Sequence, residues 1–163
     1  MTEKVFSLPS AAETARFGAA LAACLGGGDA VLLFGEPGAG KTVIVQGAGR
    51  ALKVKEQITS PTFTLVQEYA AVAAGRAVQL THIDLYRLRR PEEAEVIGAA
   101  AFLRPDAVVF VEWPEFLVAA AGAEALRLEL TGDGMEPRRA VLSYEEEYWG
   151  AKLGPLLNEY IDH

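Results

Sequence analysis

Cysteine appears once in these 163 residues, as Cys24, which excludes an internal disulfide and suits a reducing compartment. Long apolar runs are missing as well. No uncharged stretch approaches the roughly 20 residues of a membrane-spanning helix. The opening segment, Met1 to Pro9, lacks the apolar core of a secretory leader. A cytoplasmic protein with no membrane partner is therefore expected. There is no internal repeat, long linker or low-complexity tail, and the length suits one domain spanning 1–163. Positive charge is scarce, with a formal net charge of −7. Tight binding to a nucleic-acid backbone needs a basic patch. The densest clusters here are only Arg87, Arg89, Arg90 and Arg138, Arg139, and Glu92, Glu93 and Glu95 sit beside the first. If RNA is involved, a partner protein is expected to hold it.

What is present is a run of eight residues, Gly35-Glu36-Pro37-Gly38-Ala39-Gly40-Lys41-Thr42, that fits the phosphate-binding pattern G-x-x-x-x-G-K-[ST] in full. Ala30-Val31-Leu32-Leu33-Phe34 before it is a continuous apolar run, as in a buried parallel strand. Thr42 to Leu52 after it has no proline and suits a helix. Gly38 and Gly40 let the backbone approach a phosphate. The loop N–H groups form an anion nest, to which the helix N-terminus adds partial positive charge. Lys41 would reach the β- and γ-phosphates, and Thr42 would ligate Mg²⁺ through its hydroxyl. A glycine-rich turn with no ligand is the bland alternative, but such a turn has no need of Lys-Thr at the helix start.

The surrounding pattern is α/β. Ser10-Ala11-Ala12-Glu13 is a capping box that starts a helix. Thr14, Phe17, Leu21, Cys24 and Leu25 share one face of it, and Gly26-Gly27-Gly28 stops it. Phe63 to Tyr69 and Val78 to Leu85 read as strands joined by a hairpin over Ala70 to Gly75. Pro91-Glu92-Glu93-Ala94 starts a helix. Ala107 to Val111 is a second fully apolar strand, Leu126 to Thr131 and Ala140 to Tyr144 are further strands, and a closing helix spans about Glu146 to Tyr160. The alternation predicts a three-layer α/β sandwich of the P-loop NTPase kind with a mostly parallel central sheet.

Hydrolysis needs an acid at the end of a neighbouring strand. Glu112 ends the Ala107–Val111 run, and Asp84 lies near the end of the strand before it. Ligands of open α/β sheets sit at the carboxyl ends of strands, so both acids can converge on the loop. How metal contact and water positioning divide between them stays open. Thr59-Ser60-Pro61-Thr62-Phe63-Thr64 lies where switch segments occur, with four hydroxyls to respond to a γ-phosphate and Mg²⁺. A plain hydroxyl-rich turn is its bland counterpart. For His82, packing beside the site and chemistry are both open. Trp113 is expected to pack under the site and hold Glu112, or else to be a simple core residue.

Asparagine occurs once, as Asn158 followed by Glu159, so the guanine-reading N-K-x-D motif is absent. No aspartate starts a D-x-x-G switch. Adenine is favoured. A small-molecule kinase is the rival class, but the segment 115–163 offers Arg138-Arg139 and no obvious lid. A nucleotide-gated binding module with negligible turnover would share this sequence pattern.

Four segments together resemble one family: the loop 35–42, Ser60-Pro61-Thr62-Phe63-Thr64-Leu65-Val66, His82-Ile83-Asp84-Leu85-Tyr86-Arg87-Leu88, and Val111-Glu112-Trp113-Pro114-Glu115. In order, spacing and chain length they are similar to TsaE, a small bacterial ATPase of tRNA threonylcarbamoyladenosine biosynthesis. The match is good over about residues 5 to 115 and only in kind beyond. The resemblance implies ATP/ADP and Mg²⁺ as cofactors and a TsaB–TsaD complex as partner. That complex forms N6-threonylcarbamoyladenosine at position 37 of tRNAs reading ANN codons, and tRNA is met only indirectly. Hydrolysis would reset the complex between cycles. It implies catalytic roles for Lys41, Asp84, Glu112, Trp113 and the switch threonine Thr62, and metal contacts for Thr42 and Glu112. Nucleotide would be held by Glu36, Pro37, Gly38, Ala39, Gly40, Lys41 and Thr42. The adenine pocket is expected from the segment Phe6 to Thr14, represented by Thr14, and from a basic residue near the late strand, Arg138 or Arg139, with Arg139 taken. Partner contacts are expected near the switch loop and residues 86–104.

Overall fold

The computed structural model describes residues 1–60, 65–96, 98–132 and 137–160. Seven strands form one sheet: β1 (Thr2–Leu8), β2 (Ala30–Phe34), β3 (Val66–Ala73), β4 (Arg76–Asp84), β5 (Ala107–Glu112), β6 (Leu126–Thr131) and β7 (Arg138–Tyr144). Their spatial order is β1-β7-β6-β2-β5-β4-β3. The four central strands β6, β2, β5 and β4 run parallel, and the antiparallel pairs lie at the two margins.

Alternation along the central strands sends side chains into two separate cores. Val31, Leu33, Val108 and Phe110 join a large core beneath the helices α1 (Ala11–Ala22) and α2 (Lys41–Ala51). Ala30, Leu32, Val109 and Val111 face a smaller core. That core is closed by α3 (Pro91–Val96), a 3-10 turn at Ala99–Phe102, the short 3-10 segment Pro114–Phe116 and α4 (Val118–Ala121). Strands buried on both faces explain the unbroken apolar runs, and the result is the expected three-layer sandwich.

Helix α1 starts as its capping box requires, with Ser10 Oγ accepting from the Glu13 N–H at 3.0 Å. It lies unusually close to α2, because two glycines face the contact. A Cβ on Gly47 would stand 1.9 Å from the Ala15 carbonyl oxygen, and one on Gly18 would stand 2.3 Å from that of Ile44. This crossing presses the first turn of α2, and with it the phosphate-loop segment, onto the sheet.

Two expectations need correction, and one strand had gone unpredicted. The hairpin turn is tighter than Ala70 to Gly75: the strands run on to Ala73 and Arg76. Only Ala74 and Gly75 form the turn, both at positive φ (51° and 75°), which suits the twist of a two-residue hairpin. Strand β1 escaped the pattern because only Phe6 and Leu8 are buried along it, while Glu3, Lys4 and Val5 are exposed at the sheet edge. The closing helix is two pieces, α5 (Glu146–Trp149) and α6 (Gly154–Tyr160). Pro155 offers no N–H to continue a helix and serves in the first turn of the second piece. The part of the expected strand before Leu65 lies outside the described residues.

The glycine crossing makes a direct expectation. Gly47→Ala adds helix propensity worth about 1 kcal/mol, yet forces the backbones apart. Overpacking of this kind costs about 1–3 kcal/mol, and each kcal/mol is worth about 2–4 °C in Tm for a chain of this size. Thermal melts should therefore show a lower Tm than wild type. A Tm equal to or above wild type would mean that the helices separate freely.

Candidate active site

Pairing in the parallel core brings the candidate residues to one level. Leu33, two residues before Gly35, pairs with Glu112, and Glu112 pairs with Asp84. The two acids therefore stand side by side at the carboxyl ends of β5 and β4, next to the loop that leaves β2. The loop turns on Gly35, Gly38 and Gly40 at φ 143°, 83° and 105°. Gly40 is the left-handed residue before α2, so Lys41 and Thr42 open the helix. Glu36, Pro37 and Gly38 are exposed on the loop crest, while Ala39 is fully buried and anchors it in the large core.

These elements enclose a cleft of about 470 Å³ lined by the loop residues Pro37, Gly38 and Gly40 to Val43 and by Asp84, Tyr86, Glu112, Trp113 and Arg138. Lys41 is buried. Its ammonium donates to the Gly35 carbonyl and sits 3.6 Å from the centre of the Trp113 ring. Burial pulls the Lys41 pKa down, and the nearby carboxylates, Glu112 and Asp84 first, pull it back up. Thr42 Oγ1 donates to Glu112 Oε2 at 3.0 Å. The same oxygen lies 2.5 Å from His82 Nε2. Asp84 Oδ1 accepts from the Tyr86 N–H at 3.0 Å, and Ser60 Oγ lies 3.5 Å from its Oδ2.

Trp113 is set by its backbone. At φ 54° it adopts the left-handed region, a conformation that costs a non-glycine residue about 1–3 kcal/mol and is found at functional sites. The turn brings its ring under the Lys41 ammonium and 4.9 Å from Tyr86. Thus Lys41, Thr42, Asp84, Glu112 and Trp113 all meet in the cleft. Thr62 lies outside the described residues.

Thr14 borders the loop, while Arg139 is placed differently from the expectation. Thr14 is buried beside the loop, its methyl 3.4 Å from a Cβ built on Gly40, but its hydroxyl donates to the Ser10 carbonyl. Arg139 is exposed on the other face of β7, and the arginine at the loop is Arg138, whose NH2 reaches the Gly38 carbonyl at 3.3 Å. Strand alternation carried this information: Arg138 shares parity with the buried Ala140 and Leu142. Tyr86 is the other residue missed. It is two positions beyond Asp84 and 60% exposed, an aromatic that the core does not explain.

Burial also raises the Asp84 pKa above the ordinary aspartate range, with the Tyr86 N–H bond opposing and Glu112 adding to the rise. An acid raised in the folded state costs stability once pH exceeds its unfolded value of about 3.9, and costs nothing below it. Asp84→Asn keeps an acceptor for the Tyr86 N–H. Its Tm without nucleotide is expected to exceed wild type at neutral pH, with the gain vanishing as pH falls through the carboxylate range. Paired melts across pH test this, and equal Tm values at neutral pH would contradict it.

Comparison with known proteins gives the family. Residues 8–141 match the family model described as "Threonylcarbamoyl adenosine biosynthesis protein TsaE". A TsaE protein from Nostoc is 41% identical over 117 residues, covering 69% of this chain and 68% of its own length. The one from Treponema pallidum is 42% identical over 106 residues, covering 65% and 75%. A crystal structure of YdiB from Bacillus subtilis superposes with a TM-score of 0.73 over 97% of this chain and 96% of that one, at 24% identity, and so shares the fold. With a loop, two strand-end acids and a family match that spans all three, the chain belongs to the TsaE family.

Proposed function

We propose that this protein binds and hydrolyses ATP with Mg²⁺, and that this cycle supports a TsaB–TsaD-like complex in making N6-threonylcarbamoyladenosine at position 37 of tRNAs reading ANN codons. The observation that carries the reading is the convergence of Lys41, Thr42, Glu112 and Asp84 on one cleft beside a glycine loop. The curated relatives are tRNA threonylcarbamoyladenosine biosynthesis proteins by name, which supplies the pathway.

The residues suit the cofactors. Thr42 and Glu112 offer hard oxygen donors, which Mg²⁺ prefers. Among the described residues no larger cluster of His, Cys, Asp or Glu is gathered for a metal. That fits an ion held by one or two protein groups together with substrate phosphates. Loop N–H groups from Glu36 to Thr42 would cradle the phosphates. Lys41, on a flexible stem, would exchange the Gly35 carbonyl for phosphate oxygens. Mg²⁺, when bound, neutralises charge developing on the phosphates. Asp84 and Glu112 would orient water and metal ligands, and Trp113 would steady the Lys41 ammonium. Thr62 would act from the switch segment. Arg138 replaces Arg139 as the basic residue proposed for the nucleotide.

The lone cysteine and the tRNA pathway support a cytoplasmic setting, in which tRNA would be held by the partners. Among the described residues no helix is long and apolar enough to cross a membrane. The only arginine lining the cleft among those residues is Arg138, so turnover of the isolated chain should be slow.

The decisive experiment is multiple-turnover tRNA modification in a reconstituted bacterial system with and without this chain. Dependence on the wild-type chain supports the reading; no dependence in an otherwise competent system would overturn it, and phosphoryl transfer to small acceptors would then be screened. Lys41→Ala removes a charge-assisted contact worth about 2–3 kcal/mol, so ATP affinity should fall about 30–150-fold. Equal affinity by calorimetry would refute its placement. Glu112→Gln keeps the side chain's shape and should retain ATP binding while turnover stops. Unchanged phosphate release would move that role to Asp84.

A further inference from the structure

His82 has so far been only a neighbour, yet its setting is unusual. It is fully buried on β4, paired in register with Phe110 of β5. Leu80, which shares its strand parity, packs in the large core with Phe110. An apolar side chain would fill such a position at no polar cost. Instead, an imidazole is buried with Nδ1 lacking any hydrogen-bond partner among the described residues. Burying an unpaired nitrogen is unfavourable. Among the described residues the one polar contact it gains is Nε2 to Glu112 Oε2, at 2.5 Å.

We infer that His82 is a positioning residue, which holds the Glu112 carboxylate from the buried side and through it aims the Thr42 hydroxyl at a divalent cation. This rests on the Mg²⁺-ATP reading of the site. A carboxylate can only accept, so the imidazole proton of this contact is on Nε2. The backbone of Glu112 is fixed between β2 and β4, but three side-chain torsions remain. Two donors meeting on Oε2, His82 from the sheet and Thr42 from the helix, select one arrangement. Two consequences follow. Thr42 gives its single proton to Oε2, which leaves its oxygen lone pairs for a metal. Among the described residues no other group bonds Glu112 Oε1, so that oxygen keeps its full accepting capacity. Partners that orient ligands in this way are worth about 10–100-fold in metal affinity or activity.

The test uses the full chain with ADP. Nucleotide affinity is measured in EDTA by calorimetry, and metal affinity of the ADP complex is measured with Mn²⁺ by EPR and with Mg²⁺ by competition. His82→Leu should leave metal-free ADP affinity near wild type and weaken metal binding about 10–100-fold. His82→Gln, whose amide N–H can reach Oε2, should recover most of the loss. Should the leucine variant fail to fold, His82→Asn, which is polar but too short to reach, replaces it against His82→Gln. Wild-type metal affinity in His82→Leu overturns the proposal, as does an equal loss in the Gln variant, which would assign His82 to packing. A wild-type chain that binds neither ADP nor metal overturns the nucleotide reading itself. Wild-type binding with unaltered variants overturns only the role of His82.

Discussion

The register of three parallel strands governs this molecule. Because β2, β5 and β4 end together, Glu112 and Asp84 stand at the height where the chain leaves the sheet into the glycine loop. Parallel strands buried on both faces cannot slip by a residue without turning each side chain into the wrong core. The two cores therefore fix the acids as well as the fold. The α1–α2 crossing completes the arrangement by holding the first turn of α2 against the same strand ends.

The site that results is electrostatically expensive and internally compensated. Burial lowers the Lys41 pKa and raises that of Asp84, so it disfavours the charged form of each. They sustain one another: the acids pull Lys41 back toward the charged form, and Lys41 counts among the influences favouring ionised Asp84. A catalytic site needs such charges near a dry, shaped surface. Replacing Asp84 by a neutral isostere would then favour the fold at neutral pH, in keeping with the common trade between stability and activity.

Much of this was legible in the sequence because the relevant signals are local. The strand Ala30–Phe34, the Ser10 cap, the loop glycines and the strand Leu126–Thr131 each depend on a few adjacent residues. What escaped depends on partners remote in the chain. Strand β1 exists because β7 offers it an edge, not because its own alternation is strong. The choice between Arg138 and Arg139 turns on parity, which the buried Ala140 and Leu142 could have supplied. His82 looked ambiguous because its meaning lies thirty residues away, on a carboxylate oxygen. The left-handed turn at Trp113 ran against its local signal, since a residue before proline is pushed toward extended backbone.

Affinity in such a site is a difference between two sets of contacts. The Lys41 ammonium already has the Gly35 carbonyl and the face of Trp113, and the Thr42 hydroxyl already has Glu112. A nucleotide gains only what its phosphates and metal offer beyond these. Trading a neutral carbonyl for a phosphate oxygen is favourable, because charge-assisted bonds are about twice as strong as neutral ones. The Thr42 bond need not be traded, since its proton can stay on Glu112 while its lone pairs turn to the metal. Ground-state binding can thus be firm while the groups that would drive cleavage remain tied to each other.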